Sequence, residues 1–202
     1  MQADNVDFYE VTDGPTGGAL VTLQEFKDFA KIETDAENSF LQVMIDTAIE
    51  DLELWTNRWF LSRTAEGNFT RARVSRYEAY PYVEVQKAPL LSVSQVEVYD
   101  GTSFAAYTDY KLKRKEGYSR IWLTQPFAFD IYDEPYPIKV TFVAGYGDAA
   151  AVPDAIKLAV LMYANWLYDN RGDCDCSNVD ANCVASGAKS ILSRYRVLRT
   201  FG

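Results

Sequence analysis

The sequence has no histidine at all, and only three cysteines and three methionines in 202 residues. Without histidine the chain lacks the side chain that most often moves protons near neutral pH, and also the commonest metal ligand. Any catalysis would have to rest on carboxylates, lysines, tyrosines or thiols, and no catalytic or cofactor-binding residue is assigned. Long apolar runs are missing too: no window holds the roughly 18 to 20 apolar residues that span a bilayer. The opening Met1-Gln2-Ala3-Asp4 lacks the basic-then-apolar order of a secretory signal. A soluble, cytoplasmically made protein with no membrane partner is expected. Cations are scarce as well, 20 Lys and Arg against 29 Asp and Glu, for a net charge of -9. That balance excludes a basic domain that wraps nucleic acid, because phosphate binding on that scale needs a continuous cationic surface.

The shortage of cations is local. Residues 1–60 hold 13 acidic and 3 basic side chains, a balance of -10, so the remaining 142 residues carry +1. From Lys189 onward stand Lys189, Arg194, Arg196 and Arg199 with no acidic residue among them, so the two ends of the chain differ in sign. Contact with another protein is the simplest reading of the basic end.

Apolar residues are plentiful, 48% of the chain, with 14 tyrosines. That suffices for one structural domain with a real core over residues 21–202. Residues 1–20, with Gly14-Pro15-Thr16-Gly17-Gly18, read as a flexible arm. Residues 21–60 read as two helices. Thr22 with Glu25 forms a capping box for the first, and Thr34 with Glu37 offers a second ahead of a helix over 36–58. Apolar residues recur along that helix at steps of three and four, while Asp46, Glu50, Asp51 and Glu53 form an acidic face.

Over 61–146 the period changes to two. Strands are expected over 69–74, 82–86, 92–99, 107–112, 120–123 and 138–144, with Asp100-Gly101 and Glu116-Gly117 as hairpin turns. Short strands with no long helix between them argue for an antiparallel β-rich part. Residues 147–202 return to helix. Pro153-Asp154 starts a long one, and Lys157 and Asp169 bracket a stretch with no charge and apolar residues on nearly every side. A small subunit struggles to bury such a helix alone, which suggests that a second copy covers part of it and marks Tyr163 and Trp166 as candidate subunit contacts. A short last helix is expected over 188–198.

Three motifs invite chemistry. Gly145-Tyr146-Gly147 between a strand and a helix resembles part of a phosphate cradle, but the third glycine position is Ala150, no parallel strand follows, and there is no Gly-Lys-Ser/Thr ending. A corner in the chain is the better reading. Cys174, Cys176 and Cys183, interspersed with Asp173, Asp175 and Asp180, could ligate a metal, yet they lack paired C-x-x-C units and a fourth Cys or His. A solvated loop is preferred, and a metal-binding enzyme or regulator built on those three cysteines is the alternative function. Lys111, Lys113, Arg114 and Lys115 form the one dense basic patch, at an expected hairpin tip: a solvated tip in the plain reading, a contact for DNA or an acidic partner in the other.

Taken together, "LVTLQEFKDFAKI", the helix ending "LELWTNRWF", "APLLSVSQVEVYDG", "VTFVAGYGDAAAVPDAIKLAVLMYANWLYDNR" and the terminal "ILSRYRVLR" resemble the head-tail connector, or head-completion adaptor, proteins of long-tailed bacteriophages. The resemblance implies an α+β fold: a helical bundle of two N-terminal helices, one long central and one short C-terminal helix, with an inserted antiparallel β-rich part. It implies a non-enzymatic virion protein at the head-tail junction, forming a ring of about twelve copies under the portal. Such a ring extends the channel through which genomic DNA passes without specific binding, and offers a surface to the next head- or tail-completion protein. No cofactor is implied. Arginine and aromatic residues dominate protein interfaces, so Tyr195, Arg196, Leu198, Arg199 and Phe201 are the candidate portal contacts.

Overall fold

The computed structural model describes residues 8–115, 117–125, 134–171 and 186–197. In chain order these form β1 (Phe8–Asp13), α1 (Leu23–Ala30), α2 (Asn38–Thr56), β2 (Arg63–Phe69), β3 (Tyr82–Val85), β4 (Leu90–Tyr99) and β5 (Phe104–Ala106). They continue with β6 (Tyr110–Arg114), β7 (Ser119–Leu123), β8 (Ile138–Ala144), α3 (Asp154–Asp169), α4 (Ala188–Leu192) and a 3-10 turn at Ser193–Tyr195. The chain divides into two compact units. Among the described residues, the sheet unit takes those up to Thr16 and Ser62–Tyr146, and the helical unit takes Gly17–Leu61 and those from Gly147 on.

This corrects the expected helical bundle with an inserted β-rich part. Strand and helix take nearly equal shares of the described chain, the strands form two antiparallel sheets, and β1 precedes both N-terminal helices. The miss has a physical cause. The residues of β1, FYEVTD, sit in a polar, acidic stretch next to Gly and Pro, and those of β2, RTAEGNF, include poor strand formers. Pairing between neighbours, not local propensity, makes them strands: β1 pairs with β2 and β2 with β8 along their lengths.

The larger sheet runs β1-β2-β8-β4-β5 and the smaller β3-β7-β6, every pairing antiparallel. β8 alternates cleanly, burying Ile138, Val140, Phe142 and Ala144 and turning Lys139, Thr141 and Val143 the other way. Gly67 on β2 is required by packing, since a Cβ there would sit 2.9 Å from the Phe69 ring and 3.3 Å from Phe142. Tyr9 of β1 lies edge-on to Phe142 at 5.7 Å, and its hydroxyl accepts from the Gln86 amide at 2.9 Å. The same hydroxyl lies 3.4 Å from the Glu84 carbonyl, to which it donates, so the first strand is tied to residues of both sheets. Both outer edges of the larger sheet are modest: β5 has three residues, and β1 carries Glu10 and Asp13 with a register break between Val11 and Asp13.

In the helical unit the Thr22–Glu25 capping box is formed. The Thr22 amide and hydroxyl donate to Glu25 at 2.6 and 2.8 Å, and the Glu25 amide returns to Thr22 Oγ1 at 3.2 Å. The backbone and side-chain hydrogen bonds from Thr22 hold the Glu25 carboxyl below its ordinary value. The second expected box does not form. Thr34 Oγ1 accepts from Ala36, and Glu37 instead accepts from the Tyr168 hydroxyl at 2.7 Å and pairs with Arg171 at 3.5 Å. The core stripe of α2 is Leu41, Ile45, Ala48 and Leu52; that of α3 is Ile156, Ala159, Val160, Tyr163 and Ala164, at the i, i+3, i+4, i+7, i+8 spacing of one helical face.

Candidate functional site

The features that stand out are surfaces, and the first is the basic end of the chain. The expected last helix is shorter than its pattern: α4 ends at Leu192, the 3-10 turn follows, and Arg196 is extended. These residues close over the C-terminal end of α2. The Trp55 ring has Lys189 Nζ at 5.3 Å and the Arg196 guanidinium at 4.8 Å from its centroid. Arg58 Nε donates to the Tyr195 carbonyl, and the Val197 amide donates to the Thr56 carbonyl at 2.9 Å. Cations are favoured at a helix C-terminus, where unpaired carbonyls concentrate negative potential, and α2 has no basic residue in its own last turn. Of the residues expected to reach a partner, Tyr195 is half-buried and Arg196 exposed, while Leu198, Arg199 and Phe201 lie outside the described residues. Trp55 and Arg58, the groups that hold this segment, carry no local signal of that role, since their partners lie more than 130 residues away.

The second surface is the outer side of α3. Tyr163 is 1% exposed and donates to Asp51 at 3.0 Å, so it sits inside its own protomer and not on a contact face. Trp166, stacked on Tyr163 with ring centroids 6.4 Å apart, is half-buried. Leu158 is 43% exposed, and Leu161 and Met162 are half-buried. The helix is therefore covered on one face by its own unit and leaves an apolar strip on the other.

The acidic face of α2 is smaller than its sequence suggests. Asp51 receives the Tyr163 hydroxyl, and Glu53 turns inward to accept the Phe60 amide at 2.7 Å; Asp46 and Glu50 stay exposed. At the chain corner, Gly145 and Gly147 have φ of +126° and +124°, a region that favours glycine. The Gly145 amide is taken by the Pro89 carbonyl and the Ala151 amide by Asp148. These amides are bonded within the protein and do not converge on an anion site. Cys174, Cys176 and Cys183 lie outside the described residues. Among the described residues no group of three Cys, Asp or Glu side chains is placed to hold a metal, and no helix is long and apolar enough to cross a membrane.

The third surface is the outward face of β3-β7-β6. Register places Lys111, Trp122 and Tyr82 side by side, then Lys113, Arg120 and Glu84. Arg120 bonds Glu84 at 3.1 Å and Glu78 at 2.5 Å, and its guanidinium lies 4.5 Å from the Tyr82 ring centroid. Burial raises the Glu78 carboxyl, but hydrogen bonds and charge from Arg120 and Lys113 outweigh it and hold the group below its ordinary value. The pleat splits the basic patch seen in the sequence. Lys111, Lys113 and Lys115 share this face, whereas Arg114 turns away and donates to the carbonyls of Leu90 and Leu91.

No protein-family model and no curated protein sequence matches the chain. Solved structures do. A chain in the neck of an empty gene transfer agent particle, computed with C6 symmetry, superposes with a TM-score of 0.72 at 20% identity over 96% of this chain and 98% of that one. A chain from the virion of the native particle gives 0.69 at 19% over 96% and 97%. One from the neck of the native particle, computed with C12 symmetry, gives 0.67 at 21% over 95% and 98%. The fold therefore agrees, over at least 95% of the chain, with that of chains in gene transfer agent particles.

Proposed function

We propose that this chain is a structural, non-enzymatic subunit of the neck of a phage or phage-like particle, a head-tail connector that assembles as a ring below the portal. The observation that carries the reading is the superposition on neck chains over at least 95% of both partners. Cyclic symmetry in those necks supports a ring, and a twelvefold one supports about twelve copies here. The apolar strip of α3, with Leu158, Leu161, Met162 and Trp166, is the surface we assign to the neighbouring copy. Apolar area left open by one protomer gives a ring its driving force, about 25 cal/mol per Å² removed from water.

On this reading Tyr195 and Arg196 of the segment clamped on Trp55, together with Leu198, Arg199 and Phe201 that follow it in the sequence, make the portal contact. The ring extends the DNA channel and presents its far side to the next completion protein, in an assembled virion. Truncation after Val197 tests this without removing the buried Leu192. The truncated chain is expected to fold as before and to lose co-sedimentation with the cognate portal. Retained portal binding contradicts the assignment of the tail, and tailed, infectious particles formed without this chain contradict the connector reading itself.

A further inference from the structure

The outward face of the three-stranded sheet remains unexplained by the connector reading. Residues 71–84 and 111–120 together hold eight basic and three acidic side chains, in a chain whose net charge is -9. The two described carboxylates of this face lie beneath the cations: the Glu78 and Glu84 side chains are 8% and 5% exposed. Lys111 and Lys115 are exposed and pair with no carboxylate among the described residues; Lys113 keeps a long 3.5 Å contact with Glu78. Each lysine lies over an aromatic ring, Lys111 over Tyr80 at 5.8 Å, Lys113 over Trp122 at 4.9 Å and Lys115 over Tyr118 at 5.5 Å. The rings restrict the otherwise flexible lysine stems, so less rotamer freedom is lost when an anion arrives.

From this row we infer that the sheet face is a sequence-independent contact for the sugar-phosphate backbone of duplex DNA, made by Lys111, Lys113 and Lys115. Lys111 and Lys113 alternate on β6 and so stand about 7 Å apart, and Lys115 follows directly beyond its end, which gives three like charges in succession, as a polyphosphate backbone requires. The rings are capped by their own cations and are not open for base stacking, so single strands gain nothing here. An acidic protein partner fits less well, because protein interfaces are depleted in lysine and depend on aromatic anchors entering pockets. Lysine binds phosphate as a point charge and reads no base. The surrounding negative protein does not cancel the patch, because charges more than about 8 to 10 Å away are largely screened at physiological salt. This inference deepens the connector reading and rests on it for the presence of DNA, giving the passing genome a weak and readily broken hold.

The test uses the full chain and a fluorescently labelled random-sequence duplex, with binding followed by anisotropy from 50 to 200 mM salt. Three neutralised phosphates predict a log K against log salt slope of about -2.7, a loss of roughly 40-fold over that range. Lys111→Gln, Lys113→Gln and Lys115→Gln combined are expected to abolish binding while the thermal melt stays that of the parent chain, and a second duplex sequence is expected to bind within about twofold of the first. An unchanged slope in the triple variant, no DNA binding by the parent chain, or binding of polyglutamate in preference to duplex would each overturn the inference. Ring assembly on the portal is scored in parallel. Rings without DNA contact sink this inference and spare the connector reading, whereas DNA contact without rings does the reverse.

Discussion

The helical unit and the sheet unit use the same pairing of cation and aromatic ring to opposite ends. In the helical unit, Lys189 and Arg196 fold back over Trp55 and fasten a terminal segment to its own helix. In the sheet unit, Lys111, Lys113 and Lys115 lie over the rings of Tyr80, Trp122 and Tyr118, and Lys111 and Lys115 stay exposed. The carboxylates follow the same division. Asp51 and Glu53 are drawn into the helical unit as internal acceptors, while Glu78 and Glu84 are buried under the sheet's cations as supports. An acidic or basic tally along the chain does not distinguish these uses; what separates them is whether the cation fastens a backbone segment or leaves its charge to solvent.

Breaking each unit separately is the strongest check on that contrast. Phe142→Ala empties a site at 0% exposure in the sheet unit, with an expected loss of about 3 to 5 kcal/mol in chemical denaturation. Hydrogen exchange should then rise first in the β2, β4 and β8 amides; a uniform rise over the whole chain would show that the two units do not unfold separately. Gly67→Ala is next, at about 1 to 3 kcal/mol, because the new Cβ presses on Phe69 and Phe142. Trp55→Ala should cost about 1 to 2 kcal/mol through the two lost cation contacts and increase tryptic cleavage at Arg194 and Arg196. Unchanged cleavage there would mean that the ring does not hold the segment.

Acid should weaken both units, since Glu25 and Asp35 in one and Glu78 and Asp100 in the other are held below their ordinary values. A carboxyl depressed in the folded state stabilises it above the unfolded pKa and ceases to as pH falls through the folded one, so stability declines below about pH 4. Glu78→Gln should reduce that decline, measured as the difference in urea midpoint between pH 7 and pH 3; an equal decline in both proteins counts against the Arg120–Glu78 pair as its source. The smallest change in stability belongs to Leu158→Gln, within about 0.5 kcal/mol for an exposed site. Its effect should be on assembly alone, as fewer rings at equal concentration by mass photometry.

Local signals were readable where local physics decides. The Thr22–Glu25 box and the start of α3 at Pro153 are settled within a few residues, and the alternation of β8 is written in its own residue pattern. Features with distant partners were not readable. Glu37 looks like a capping residue until Tyr168 and Arg171 arrive from more than a hundred residues away, and β1 looks like a loose arm until β2 pairs with it. The three-lysine row lay in plain view, but recognising it required the strand to be placed first, because only the pleat separates Arg114 from its neighbours. The apolar excess of α3 was visible in the composition, whereas which residues remain uncovered depends on how the unit packs.

The modest outer edges of the larger sheet bear on manufacture. A β-protein risks growing into fibrils through open β-edges, where free amides and carbonyls recruit further strands. Here a carboxylate-bearing strand with a register break on one flank and a three-residue stub on the other offer poor templates. Copies of the chain at high concentration are thereby steered away from amyloid-like stacking.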